Sequence, residues 1–540
     1  MLPHWRKRVI DALSRQVYDM VVYSNHFLRR VNQEVDLSFI NELCAPIYKN
    51  GTAQGGRPAE EPERVFRALL VMILYGLPFE TWLVREIAVN LAFRWFCGLG
   101  LLDKVFDHSL LCVVRKRLGP ALFEEILTRI FQQCFDKGLV SNEWAFYDVT
   151  SIEGAAAPYT PYERAVILAR AVMLLLEERP AAGGEDPSAP PAQAAPALRR
   201  LVAEVVKEVV PAQKSRVESI LQGVERLAQA AQEDPEHLPH RERVAQTLAE
   251  AIDKVPDTNA QGLKETMEDM KAVMPHAKGD PDVRVGRTDD QQFFCGYLSG
   301  VIVDGKYGLI SATHLAAGNA YQADAFMQSA VAAQHVQRAG RPPDKAALDA
   351  AFGYVDVANH LAEHWPQTEV FLQPGVIPPL QKERQHIFLA EAFTLTEADE
   401  LLCPNEALPL AQRQMRVQAR HRDGTLEYVG RGCAECELRA QCTTKEAGPR
   451  VVKMHPQRHR QRQAMENKAK TPEHRAAMKQ RLVCIEPVFG HGKSYHHWAK
   501  ALYRSLQMNR VFNLLVAIAW DIEKLVRYAP LERRRLAVAT

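Results

Sequence analysis

The order of strand-like and helix-like segments between residues 292 and 373 constrains the fold most. The run QFFCGYLSGVIVDGKYGLISATHL holds two β-rich stretches around Asp304-Gly305, a pair typical of hairpin turns. QADAFMQSAVAAQHVQRAG then predicts a helix that Gly340 ends. KAALDAAFGY is a short strand ending at Asp349, DVANHLAEHW a helix and TEVFLQ a further strand. This order predicts an α/β fold with a mixed sheet.

A further buried strand precedes this region. The segment WAFYDVTSI is rich in aromatic and β-branched residues, and we place the end of its strand at Asp148. Glu486 stands where a basic helix meets the sequence PVFG. Ligands of open sheets gather at the carboxyl ends of strands, so Asp148, Asp349 and Glu486 are candidate ligands of a hard cation. The alternative for an acid at a strand end is a helix or turn cap.

Residues 1–135 predict an all-helical domain. Apolar residues recur there at three- and four-residue spacing, as in EPERVFRALLVMIL. FDHSLLCVVRKRLG predicts a short helix that Asp107 or Ser109 caps, that Gly119 ends, and that carries three adjacent basic residues, Arg115, Lys116 and Arg117. A short basic helix after other helices indicates a helix-turn-helix DNA reader. The alternative is a helical bundle with a basic surface.

Composition divides the rest of the chain. Residues 161–284 are rich in Ala, Glu and Pro and predict a helical insertion, with a loose connector at 180–197. The mixed-sheet region, which holds the candidate acids Asp148 and Asp349, then comprises 140–160 and 285–395. We expect an irregular, cysteine-containing insert at 396–456 and basic helices, one of them carrying Glu486, at 457–540.

Charge and hydropathy indicate a nucleic-acid partner and a cytoplasmic protein. Residues 411–540 hold 26 Lys and Arg against 11 Asp and Glu, an excess of 15 positive charges. Such an excess suits a polyanion; a solvated face balanced elsewhere is the alternative. No run of eighteen apolar residues and no signal-peptide pattern is present, which predicts no membrane association. Cysteines isolated in apolar runs fit a reducing compartment.

Four cysteines form a second candidate metal site. Cys433 and Cys436 are a C-x2-C pair, Cys442 follows, and Cys403 lies upstream. Thiolates at this spacing suit a structural Zn²⁺, which requires four ligands. Reduced free thiols are the alternative. By contrast, we expect His314, His491, His496 and His497 to be ordinary polar or phosphate-facing residues.

Several blocks occur in the order found in a known family. YDVTSIEGAA, FFCGY…VIVDGKYGLI, LDAAFGY and IEPVFGHGK resemble the catalytic blocks of DDE transposases of bacterial insertion sequences. The run LAFRWFCGL…FDHS resembles their helical N-terminal domain. The first block here has Asp148-Val149-Thr150 instead of Asp-Gly-Thr, and three residues separate Asp349 from Gly353-Tyr354.

This resemblance implies a ribonuclease-H-like catalytic domain and a DNA-joining activity. It assigns the metal-binding acids to Asp148, Asp349 and Glu486, which would hold two Mg²⁺ ions, with Mn²⁺ as a substitute. Lys493, two helical turns beyond Glu486, would contact a DNA phosphate, as would nearby Arg481. The implied partners are double-stranded terminal inverted repeats, target DNA and a second copy of the chain. The implied location is the bacterial nucleoid. The alternatives are a catalytically quiet DNA-binding derivative and a nuclease on the same fold.

Overall fold

The structure is a computed structural model. It describes residues 5–6, 9–48, 59–158, 277–280, 282–287, 293–375, 388, 392–443 and 448–539. Most of the predicted insertion at 161–284, including the connector at 180–197, lies outside these residues. No helix within them is both long enough and apolar enough to cross a membrane.

The N-terminal region is a bundle of helices, as predicted. Its helices are α1 Ala12–Val21, α2 Phe27–Glu34, α3 Phe39–Cys44, α4 Pro62–Leu74, α5 Glu80–Val89, α6 Leu91–Phe96 and α7 His108–Asp136. Two short parallel strands, β1 Trp5–Arg6 and β2 Ala59–Glu60, pair beside it. Asp107 caps α7, its carboxylate accepting a hydrogen bond from the N–H of Ser109 at 2.9 Å. At Gly119 the φ angle is +66°, which interrupts α7 before a second helical part continues.

A mixed sheet forms the centre of the molecule. Its strands are β3 Trp144–Glu153, β6 Arg284–Arg287, β7 Phe293–Asp304, β8 Ile310–Ala317, β9 Lys345–Leu348 and β10 Glu369–Leu372. The order β10-β9-β3-β7-β6 runs across it, and β8 also pairs with β7. β3, β7 and β8 are antiparallel neighbours, whereas β9 is parallel to both β3 and β10. The predicted hairpin at Asp304-Gly305 is confirmed.

The two ends of the segment between 158 and 277 meet. β4 Ala157–Pro158 pairs in antiparallel fashion with β5 Ala277–Lys278. The chain therefore leaves the sheet region and returns to it at one place, the connectivity expected of an insertion. Sheet structure resumes with β5 and β6 slightly before residue 285, where the sequence placed the boundary.

Helices α8 Gln322–Gln328, α9 Val331–Ala339 and α10 Val355–His364 cover one face of the sheet. The sequence predicted a single helix up to Gly340. Instead, the chain becomes extended at Ser329, whose hydroxyl donates a hydrogen bond to the carbonyl of Phe326 at 2.7 Å. A serine that bonds to local backbone competes with helix continuation, which accounts for the break. Gly340 ends α9 in the left-handed conformation, as predicted.

The described residues between 392 and 454 form a small lobe with a core of its own. Its elements are β11 Thr394–Leu395, β12 Leu401–Leu402, α11 Leu410–Arg413, β13 Arg416–Arg420, β14 Leu426–Val429, α12 Arg439–Cys442 and β15 Val451–Met454. β13, β14 and β15 make an antiparallel sheet. The expectation of irregular structure here was wrong. Leu401, Tyr428 and Met454 pack together beneath the sheet and supply the burial that stabilises it.

Three helices complete the chain: α13 Pro456–Ala469, α14 Pro472–Tyr495 and α15 Leu506–Ala539. α15 packs against α2, α4, α7 and β8, so one continuous core joins the N-terminal helices to the sheet. Within it, the Asn513 side-chain carbonyl accepts hydrogen bonds from the Ser299 hydroxyl at 2.6 Å and the Trp498 indole at 2.9 Å. Its amide donates to the Thr313 hydroxyl at 2.7 Å. These bonds fix α15 against β7 and β8.

Candidate active site

The two candidate aspartates lie side by side on neighbouring parallel strands. The last register pair between β3 and β9 is Tyr147 opposite Leu348, so Asp148 and Asp349 follow at the same level. Tyr147 and Leu348 pack beneath α8, α9 and α10. Because side chains alternate across a strand, the two aspartates belong to the opposite face, on which α14 packs against β3 and β9. Burial, followed by the charges of both aspartates, raises the pKa of Tyr147 well above its usual value.

Asp148 lies near the middle of its strand, so the prediction that the strand ends there was wrong. β3 continues to Glu153 because β7 pairs with it over its whole second half. Its pairing with β9 ends at Tyr147, one residue before the aspartate. Asp148 Oδ2 accepts a hydrogen bond from Arg481 Nη1 at 2.7 Å, and Oδ1 lies 2.8 Å from the N–H of Val149. The acid thus stands where the parallel pairing stops.

Asp349 follows the last residue of β9, as predicted. Its Oδ1 accepts a hydrogen bond from the N–H of Ala351 at 3.0 Å and caps a 3-10 helix, Ala350–Phe352. The turn then approaches the end of β10 closely. A Cβ atom at Gly353 would lie 1.9 Å from the carbonyl oxygen of Gln373, so the turn as it stands requires glycine. Asp349 therefore sits on a turn that backbone packing defines tightly.

Helix α14 places a basic residue, Arg481, next to Asp148. Its buried residues Arg481, Ile485, Val488 and Gly492 recur every three or four positions and face the sheet. The helix continues through PVFG instead of ending there, so Glu486 lies within it. Arg481 is mostly buried and pairs with Asp148. The structure thus brings Asp148, Asp349 and Arg481 together.

Glu486 is exposed on the other side of α14. Within the described part of the chain, the oxygens of Asp148, Asp349 and Glu486 do not form a group in which all lie within 4.8 Å of one another. The structure therefore assembles two of the three predicted acids and leaves the third on the adjoining helix.

Basic residues share the exposed face of α14 with Glu486. Arg475, Lys479, Glu486 and Lys493 follow at intervals of four, seven and seven residues, which places them on one side of a helix. Arg475 and Lys479 are exposed and were missed as candidates, although this spacing in the sequence could have revealed them. Lys493 is half-buried; burial lowers its pKa, and the charge of Glu153 opposes that shift.

Of the three adjacent basic residues on α7, two remain available to a partner. Arg115 was expected to contact DNA, but it is 4% exposed, pairs with Glu80 and stacks on the ring of Tyr503. Burial against these partners makes Arg115 a core residue. Lys116 and Arg117 are exposed, with the Arg117 guanidinium 4.9 Å from the ring centre of Tyr48.

The four cysteines predicted as zinc ligands surround one small cavity of about 30 Å³: Cys403, Cys433, Cys436 and Cys442. Asn405 links two of them, since its backbone N–H donates to Cys403 Sγ and its side-chain amide to Cys436 Sγ, both at 3.4 Å. Burial raises the pKa of Cys442, with smaller contributions from the other three thiols. The spacing in the sequence thus selected residues that converge, although their sulfur atoms are not packed within 4.8 Å of one another.

A different cluster was not expected. Among the described residues, His491, His496 and Glu523 form the one group whose potential metal-ligand atoms all lie within 4.8 Å of one another. It joins the end of α14 to the middle of α15. The spacing of its members in the sequence gives no signal for it, because the contact depends on how two helices pack.

Comparison with protein families gives two matches. Residues 15–117 match a family described as Transposase domain (DUF772), and residues 402–526 match one described as Transposase DDE domain. The second match includes Glu486, Arg481 and the four cysteines, whereas Asp148 and Asp349 lie outside both. Comparisons with curated proteins and with solved structures gave no significant match. Together, the two family matches are consistent with a DDE transposase of an insertion element.

Proposed function

We propose that this transposase cleaves DNA at the ends of its element and transfers the freed 3′-hydroxyl to target DNA with two Mg²⁺ ions. The observation that carries the proposal is the adjacency of Asp148 and Asp349 beneath a helix that bears Glu486. An antiparallel meander continued by two parallel strands, with the acids on β3 and after β9, supports a ribonuclease-H-like catalytic domain.

The residues present fit such ions. Carboxylate oxygens are the ligands that Mg²⁺ prefers, and Mn²⁺ accepts the same set. Two neighbouring carboxylates also favour a positive charge between them, and Arg481 supplies one to Asp148. Its Nε is buried without a hydrogen-bond partner among the described atoms, so the guanidinium retains capacity for another acceptor. When bound, the ions would activate the attacking oxygen and stabilise the leaving oxygen.

The protein's own groups would position the DNA. Asp148 and Asp349 would hold one face of the site, because β7 pairs with the backbone at Asp148 and the Asp349 carboxylate accepts a hydrogen bond from the N–H of Ala351. Arg481 would transfer its hydrogen bonds from Asp148 to the scissile phosphate, which a planar guanidinium suits. Glu486 would complete the acid set once DNA binding rotates α14 so that its exposed face turns toward the aspartates. Lys493 would then hold a flanking phosphate.

The exposed stripe of α14 is the proposed DNA interface. Arg475 and Lys479 lead along the helix to Glu486, and Lys116 and Arg117 add positive charge on the N-terminal bundle. We assign recognition of the terminal inverted repeats to residues 1–135 and catalysis to 140–160, 285–395 and the helices of 457–540. Holding two element ends requires two sites, so we propose a homodimer on DNA, acting in the cytoplasm at the nucleoid.

We further propose that the cysteine lobe binds a structural Zn²⁺. Four thiols around one cavity supply the required number and type of ligands. The hydrogen bonds from Asn405 to two of the sulfurs would stabilise their thiolate forms. The ion would then fasten the turn at Cys433–Glu435 and the helix α12 to the rest of the lobe.

The test uses the purified full-length chain with labelled DNA carrying one element end and a supercoiled target. Mg²⁺-dependent nicking followed by covalent joining is expected, and Asp349→Asn should abolish both. Cleavage without joining would favour a nuclease on the same fold. Binding of DNA without cleavage or joining would favour a catalytically quiet DNA-binding derivative. Either result would contradict the proposal.

A further inference from the structure

The end of α14 and the middle of α15 meet at two imidazoles and one carboxylate. His491 Nε2 lies 3.1 Å from Glu523 Oε2, and His496 Nε2 lies 3.2 Å from Glu523 Oε1. The two imidazole rings are 4.9 Å apart and nearly perpendicular. His496 is completely buried, whereas His491 and Glu523 keep partial access to solvent. Three ligand atoms from two helices thus lie within 4.8 Å of one another in a cluster that is partly open to solvent.

Hydrogen bonding accounts for only part of this arrangement. His496 Nε2 and Glu523 have the geometry of a hydrogen bond. His491 Nε2 is buried and lies 3.1 Å from Glu523 Oε2, but at an angle that is poor for a hydrogen bond. A buried ring nitrogen without a hydrogen-bond partner is costly. His491 Nε2 lies within 4.8 Å of the ligand atoms of His496 and Glu523, and a cation among the three would give it a partner.

The donor set selects the type of cation. Neutral imidazoles suit Zn²⁺ and related transition metals, whereas Mg²⁺ prefers an all-oxygen set. In a tetrahedral zinc site with bonds of about 2.0–2.1 Å, neighbouring ligand atoms stand roughly 3.3 Å apart. The two nitrogen–oxygen distances of 3.1 and 3.2 Å are close to that value. Three protein ligands leave one position for water.

We propose that His491, His496 and Glu523 bind a divalent transition metal of the zinc class, separate from both the catalytic acids and the cysteines. The ion would fasten the C-terminal end of α14 to α15. His491 lies five residues beyond Glu486 on the same helix, so the ion would restrict the movement of the helix that carries this acid. The proposal does not depend on the proposed DNA chemistry, because it concerns metal content alone.

Metal analysis of the full-length protein tests it. The cysteine lobe is first removed as a competitor by Cys433→Ser and Cys436→Ser, and excess Mg²⁺ occupies carboxylate-only sites. This protein, equilibrated with Zn²⁺ and desalted, should retain one equivalent. His491→Gln should remove that zinc. His108→Gln, which replaces an exposed histidine 3.5 Å from a carboxylate, should leave it unchanged.

A second readout uses protein that keeps all its cysteines and is loaded with Co²⁺ instead of Zn²⁺. It does not depend on the folding of the serine variants. The visible d–d absorption of bound Co²⁺ should weaken in His491→Gln and in Glu523→Gln, while any thiolate charge-transfer band in the near ultraviolet stays. The proposal would be overturned if both variants kept the zinc content and the d–d absorption of the parent protein. In that case the cluster is a hydrogen-bonded ion pair only.

Discussion

Arg481 donates a hydrogen bond from Nη1 to Oδ2 of Asp148 over 2.7 Å, and the pair lies beside Asp349. The two side chains are 10% and 19% exposed, so their interaction is largely shielded from water. The guanidinium therefore offsets the charge of Asp148, which lies next to a second carboxylate, Asp349. Because the proposed function also places a metal ion on Asp148, we expect Arg481 and the metal ion to compete for this carboxylate.

Replacing Arg481 should make folding stability more sensitive to Mg²⁺. Arg481→Gln removes the guanidinium that pairs with Asp148 and should reduce the free energy of unfolding by about 1–3 kcal/mol in a chelator. Mg²⁺ binds the freed carboxylates only in the folded state and should restore part of this loss. Denaturant unfolding with and without Mg²⁺ measures both effects.

Arg338→Gln is the matched control, because Arg338 forms a buried ion pair with Glu124 away from the aspartates. It should destabilise the protein equally with and without Mg²⁺. If Mg²⁺ stabilised Arg481→Gln no more than it stabilises the wild type, Arg481 and Mg²⁺ would not compete for Asp148.

Lys479 should contribute to DNA affinity without contributing to folding. It is exposed on the α14 stripe, so Lys479→Ala should weaken binding of any DNA sequence and reduce the salt dependence by about one counterion. Fluorescence anisotropy over a series of salt concentrations measures both. Lys453→Ala, at a 63% exposed lysine of the cysteine lobe, should leave the slope unchanged. If the salt dependence of binding were equal for the two variants, α14 would not be part of the DNA interface.

His335 should make the protein less stable in acid. Burial, assisted by the charge of Arg338, lowers its pKa to about 3. In the unfolded chain the pKa returns to about 6.5, so the unfolded state binds an extra proton between these values. The stabilisation is complete above pH 6.5 and declines as the pH falls toward 3, by about 1.4 kcal/mol per unit at most.

His335→Gln removes this titration. The variant should lose stability at pH 7, because Ser311 and Asn142 lose their hydrogen-bonding partner, but it should depend less steeply on pH between 6 and 4. Urea unfolding at several pH values measures the slope, with His421→Gln as the exposed control. An unchanged slope in His335→Gln would contradict this account.

Loss of the proposed zinc ion should loosen the cysteine lobe and leave the rest of the protein intact. Cys436→Ser should remove one equivalent of zinc and speed proteolysis within residues 392–454, because the lobe has only a small core of its own. Cys484→Ser, at a thiol on α14 outside the lobe, should do neither. Limited proteolysis with mass spectrometry locates the cleavage. Equal zinc content in both variants would show that the cysteines are free thiols.

Local sequence patterns predicted most of the sheet and its helices. The β7–β8 hairpin, β9, α10 and β10 follow from turn residues and from apolar periodicity, both of which act over a few residues. The position of Asp349 after β9 follows for the same reason. Resemblance to a family supplied the link from these elements to Asp148 and Glu486.

Features that depend on distant contacts were not predictable in this way. β3 extends past Asp148 because β7, more than a hundred residues later, pairs with it. Arg115 is buried because Tyr503 and Glu80 enclose it, and nothing near Arg115 in the sequence indicates either partner. The His491, His496 and Glu523 cluster depends on the packing of two helices. The strands of the cysteine lobe were not predicted because they are short and partly polar.

The most direct test of the central claim is excision in cells. A marker flanked by the native element ends is supplied with wild-type protein, with Glu486→Gln, or with Glu473→Gln, which changes another exposed glutamate of α14. Excision by the wild type and Glu473→Gln, with none by Glu486→Gln at equal protein levels, is the predicted result. Equal excision by all three would show that Glu486 is not catalytic and would contradict the account.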